Sequence, residues 1–175
     1  MKLTPSIGRT IAACAAALVA TLAIAQDTRP AASSFERFKA LTGEWIDVDG
    51  VGGAKGAVLA TYRLTGGGSA VVETLFPGTR NEMTTIYHRD GNDLVLTHYC
   101  AAGNQPRMRA RTVSGNTVAF DFDGGSHFDP ATDMHMHDAM IEFTSSNEIR
   151  ATWRAWEKGK PATHSPSFRL QRKKA

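Results

Sequence analysis

A chain of 175 residues has the length of one domain, and its 20 Lys and Arg against 17 Asp and Glu leave too small an excess for an electrostatic nucleic-acid binder. Two cysteines, Cys14 and Cys100, exclude a disulfide-stapled scaffold.

The first stretch reads as a targeting segment rather than as part of the fold. Lys2 and Arg9 form a basic start. An uncharged, Ala- and Leu-rich run over 11–24 follows, and Ala23-Ile24-Ala25 has the small-x-small pattern of a cleavage site. This order predicts a signal peptide, residues 1–25, cut after Ala25, and a mature protein that is periplasmic or secreted. A membrane anchor is the competing reading, but a span needs about 20 apolar residues. Ile11-Ala12-Ala13-Cys14 loosely resembles a lipoprotein acylation motif, yet the apolar run continues past Cys14. Cleavage takes away two of the 20 basic residues and none of the 17 acidic ones, so 150 residues remain with a net charge of +1. A domain of that size buries roughly 70% of its unfolded surface and needs no covalent staple.

Residues 26–34 are polar, contain Pro30, and read as a flexible leader to a single domain over 35–175. Phe35, Phe38 and Leu41 recur at helical spacing, with Ser34 as a candidate N-cap and Gly43 as the stop. This predicts one short amphipathic helix. Trp45 then opens the first strand. Beyond it the apolar period is two, over 57–64, 70–77, 82–89, 93–101, 107–113, 117–123, 134–143, 148–156 and 164–170. Turn residues separate these runs, and Asp90-Gly91 and Gly115-Asn116 are tight-hairpin signals. No helical stretch is long enough for parallel crossovers. The pattern predicts an all-β fold: an antiparallel up-and-down barrel of about nine or ten strands with one short N-terminal helix. A sandwich is the alternative architecture. A barrel of this strand number can hold a cavity.

Gly43-Glu44-Trp45, after a short helix and at the start of the first strand, resembles the Gly-x-Trp signature of lipocalin-like barrels. That resemblance implies a Trp plugging one barrel end and a late-strand Arg covering it, with Arg169 and Arg172 as the candidates. A wider set of segments is similar to a group of uncharacterised bacterial exported barrel proteins, lipocalin-like domains of unknown function. Those segments are Ser69 to Gly78, Glu82-Met83-Thr84-Thr85-Ile86-Tyr87-His88, Leu96-Thr97-His98-Tyr99-Cys100 and Gly103-Asn104-Gln105-Pro106-Arg107-Met108. The resemblance implies fold and export and carries no activity with it.

Two strands mix apolar residues with metal-ligand chemistry on one face. Leu94, Leu96, His98 and Cys100 share a face, and so do His135, His137, Ala139, Ile141 and Phe143, which puts Met134 and Met136 on the opposite one. If both faces point inward, His98, Cys100, His135 and His137 form an interior set suited to zinc, copper or haem. The competing reading is that these are core residues, with His135 close to His127 in the preceding loop. Around Gly103, the polar groups Tyr87, Asn104 and Arg107, with His98 and Cys100, are candidates for orienting a small ligand at a barrel mouth. Nucleophile elbows, phosphate loops and dinucleotide fingerprints are absent, so binding is favoured over catalysis, with a metal-dependent or thiol-based enzyme using Cys100 and His98 as the alternative. The expected partners are a small molecule or a metal ion, with no nucleic acid and no stable membrane span after cleavage.

Overall fold

The computed structural model describes residues 30–163 and 165–174. The expected signal peptide, residues 1–25, and the first part of the expected leader lie outside the described residues. Within them, no helix is long and apolar enough to cross a membrane.

One helix, α1 (Pro30–Lys39), precedes eleven strands. It begins earlier than its apolar spacing indicates. Pro30 is suited to a first helical position, because it has no N–H to leave unpaired. Ser34 is therefore inside the helix and buried, not its cap. The strands are β1 (Gly43–Asp47), β2 (Val58–Thr65), β3 (Ala70–Leu75), β4 (Met83–Asp90), β5 (Asp93–Tyr99), β6 (Gln105–Ser114), β7 (Thr117–Ser126), β8 (His135–Ser145), β9 (Glu148–Glu157), β10 (Lys160–Pro161) and β11 (Ser167–Arg172). Strands β1 to β9 pair in sequence order. β11 then inserts antiparallel between β9 and β1, and the two-residue β10 extends β9. The result is a closed antiparallel barrel of ten strands. Closure leaves its ten strands without a free edge.

The expected hairpins form where glycine permits them. Asp90 pairs with Asp93 and Ser114 with Thr117, so Gly91 and Gly115 take the turns at φ of +61° and +57°. Inside, the alternating residues meet as one core that includes Leu59, Tyr62, Val71, Leu96, Met108, Phe120, Ile141 and Leu170.

Helix α1 covers one end of the barrel. Phe38 is fully buried, stacks on Tyr87 at a centroid distance of 4.4 Å, and meets Phe120 and Phe143 edge-on at 6.0 and 5.3 Å. Trp45 is also fully buried, and its indole N–H donates to the Leu41 carbonyl at 2.7 Å. Arg172 is the residue that covers it: the guanidinium lies 4.6 Å from the Trp45 ring and donates to the carbonyls of Ala40 and Thr42, each at 2.7 Å. Arg169 instead forks onto Asp49 at 2.7 and 3.1 Å.

The phase of β8 differs from the expected one. Across β8 and β9, Met136 pairs with Ala155 and Asp138 with Arg154, which leaves His137 as an extra, unpaired residue. This bulge shifts the alternation by one. Ala139 and Ile141 keep the inward face, but N-terminal to the bulge it is Met136 that packs against the core. His135 and His137 do not continue the Ala139–Ile141 face into the barrel interior.

Candidate functional site

At the barrel end away from α1, the ends of β3 and β5 and the starts of β4, β8 and β11 leave a cavity of about 280 Å³. Leu75, Phe76, Met83, Met136, Trp153 and Phe168 make its wall, and Val51 and Gly52 from the β1–β2 connection stand at its rim. The wall is apolar apart from His98.

His98 reaches this wall because β5 is regular: Leu94, Leu96 and His98 alternate inward, and all three are buried. Its ring lies against Trp153, with centroids 4.9 Å apart. The Nδ1 atom is 2.9 Å from the Thr85 hydroxyl, while Nε2 is buried without any partner. Burial holds the imidazole well below its ordinary value, at about 4, so it is neutral at pH 7. The Trp153 indole nitrogen is likewise buried without a partner. Two rings of one cavity wall, in contact with each other, each carry a nitrogen that the protein does not satisfy. Such atoms are costly unless something else completes them.

Behind His98 runs a buried polar row. Tyr62 on β2 is directly across from Glu73 on β3, Glu73 from Thr85 on β4, and Thr85 from His98 on β5. All four are buried. The Glu73 carboxylate accepts hydrogen bonds from the Tyr62 hydroxyl at 2.5 Å and from Tyr87 at 2.8 Å. Burial pushes the Glu73 carboxyl up from its ordinary value, and the hydroxyls around it pull it back. Burial, and then the Glu73 charge, drives both tyrosines well above theirs.

Of the residues singled out in the sequence, His98 lines the cavity, and Tyr87 donates to Glu73, the cross-strand partner of Thr85. The others are placed elsewhere. Cys100 is half-buried in the β5–β6 turn, where its N–H donates to the Asn104 carbonyl at 3.0 Å. Asn104 is buried and ties that turn to β8, its amide donating to the Met134 carbonyl at 2.7 Å. Arg107 is on the outer face, bound to Asp90 at 2.9 Å and facing Asp123 at 3.7 Å, in a network shared with Arg109 and Asp93. A guanidinium committed to two carboxylates does not orient an interior ligand.

The interior metal set does not assemble. Among the described residues, no group of three or more His, Cys, Asp or Glu side chains is placed to hold a metal ion. His135 and His137 bond to each other instead, Nε2 to Nδ1 at 3.0 Å, while His135 Nδ1–H donates to the Asp133 carbonyl at 2.9 Å. The His137 ring is sandwiched between Phe122 and Trp156, at 4.7 and 3.9 Å, and His135 packs on Phe128 at 4.7 Å. The pair is part of an aromatic box.

No protein-family model and no curated protein matches this chain. Geometry alone therefore carries the functional argument.

Proposed function

We propose that this protein is an exported carrier or sensor that binds a small, mainly apolar molecule inside the open end of its barrel, with His98 as the orienting polar contact. The observation that carries this reading is the pairing of an apolar cavity with a buried, unpartnered imidazole nitrogen in its wall. Binding pockets are typically apolar with a few placed polar groups, and volumes of about 300–1,000 Å³ are usual. At about 280 Å³ the cavity suits a ligand of one ring or a short chain. The basic start, apolar run and small-x-small site of residues 1–25 support export to the periplasm or the outside.

Native mass spectrometry of residues 26–175, purified from the periplasm without chelators, tests this reading. An organic adduct that disappears in Trp153→Ala or His98→Leu supports it. An adduct with the mass of zinc, copper or haem would replace it with a metal or haem protein. A bare chain that takes up no member of a panel of one-ring compounds would leave a structural barrel.

A further inference from the structure

A second hollow, of about 190 Å³, lies under the β1–β2 connection, with Ala54, Ala57, Val58 and Leu59 in its wall. Of the described residues, Gly52 and Phe76 alone line both this hollow and the cavity. They are the partition between the two spaces. It is braced from both sides. Asp47 is buried at the end of β1, and its carboxylate accepts from the backbone N–H groups of Asp49, Gly50 and Gly52 at 3.1, 2.9 and 2.7 Å. The Arg169 fork onto Asp49 ties down the same connection. Held in this way, Gly52 lies close against Leu59 and Phe76. A β-carbon on it would stand 2.5 Å from a Leu59 methyl and 3.1 Å from the edge of the Phe76 ring. Phe168 meets the Phe76 ring edge-on, with centroids 6.2 Å apart.

Phe76 holds this place against its own backbone. It follows the last residue of β3, its N–H donates to the Leu59 carbonyl at 2.8 Å, and its φ is +53°. A residue with a β-carbon is disfavoured there and glycine is not. A turn that needed the bend alone would carry glycine, whereas this one carries a ring and sets it between two cavities. Such local strain is characteristic of residues held in place by a site. Resting on the cavity being a ligand site, we propose that Phe76 is its length gauge: an uncharged, apolar ligand is stopped at the ring, and a longer one leaves its further carbons in water. The ligand is uncharged because, among the described residues, no Lys, Arg, Asp or Glu lines the cavity. A charged head would be desolvated there without a counter-charge.

The test titrates straight-chain primary alcohols, from butanol to decanol, into the mature protein by calorimetry. Each buried CH₂ adds about fourfold in affinity. In the parent the affinity should climb with each carbon and level off within the series. Phe76→Gly removes the ring and suits the backbone at once. Its affinity should keep climbing past that point, so that it binds decanol about tenfold or more tighter than the parent does. Amide resonances of Ala57 and Val58, which line the second hollow and not the cavity, should move with decanol in the variant and stay still in the parent. Levelling at the same carbon in both proteins, or an even climb to decanol in the parent, would overturn the gauge while leaving the cavity a ligand site. Tighter decanol binding that leaves Ala57 and Val58 unmoved would overturn it too, because the cavity would only have loosened. If Phe76→Gly lacks the cooperative thermal transition of the parent, Phe76→Leu takes its place. It should move the levelling point in the same direction by less, and an unmoved point would count against the gauge. If neither the parent nor the variants bind any alcohol, the ligand-site reading and the gauge fall together.

Discussion

His98 couples the cavity to pH through its own burial. In the unfolded chain an imidazole takes a proton near 6.5, whereas in the fold it does so only at about 4. Between those values the unfolded state binds more protons, so stability rises with pH across this window and flattens above it. The shift is worth roughly 3 kcal/mol at neutral pH. Glu73 works in the opposite direction: its raised value favours the fold on the acid side, and that contribution is lost as pH rises above its ordinary 4.5. Urea denaturation at pH 4, 5, 6 and 7 on the parent and on His98→Gln separates the two. The difference between the proteins should carry the rising slope, and parallel curves would show that His98 is not buried neutral. Tyr87→Phe takes one donor from a buried carboxylate and should cost about 1–3 kcal/mol by the same measurement. Glu73 was legible in principle. It is two residues from Val71 and two from Leu75, so it stands in the inward phase of β3, where an acid needs partners. The partners come from β2 and β4, and no local pattern shows that two separate strands will bring hydroxyls to one point.

At the scale of elements, the helix and the regular strands followed from period and punctuation, and the exceptions occur where a strand departs from regularity. β5 keeps its alternation, and His98 is where the period of two puts it. β8 inserts His137 as a bulge, so a two-residue count through it assigns Met136 and the histidines to the wrong faces. Histidines in an aromatic box contribute by stacking, which leads to a plain expectation. His137→Ala should lower stability by about 1–2 kcal/mol through the lost contacts with Phe122 and Trp156. The loss should be equal with added zinc and with chelator, and a loss that appears only with metal would restore the metal reading. The plug at the other end is a second element-level device. Trp45→Ala removes a fully buried indole and the surface under Arg172, and should cost about 3–5 kcal/mol. A variant that melts like the parent would mean that Trp45 does not hold the barrel to α1.

For the whole molecule, ten strands share one sheet and one core. Pairing that runs from β1 to β9 in chain order was legible from evenly spaced hairpin signals. The return of β11 to lie between β9 and β1 was not, because nothing in the residues near 167–172 names a partner more than a hundred positions away. A chain ended at residue 166 keeps nine barrel strands yet leaves β1 and β9 with unpaired backbone. It should lose the cooperative thermal transition of the parent and aggregate, as followed by circular dichroism and light scattering. A folded, monomeric product would show that β11 is an accessory and not the closing strand.

That closing strand also sets when this protein can exist as a fold. The first strand to be synthesised has to wait for the eleventh before its outer edge is satisfied. Until then the growing chain is an open sheet with no sealed interior. Closure of the barrel therefore cannot precede the synthesis of β11. A chain without β11 has no closed barrel to unfold before threading. Delay built into strand order would keep a polypeptide competent for passage through a narrow pore, as the proposed export requires.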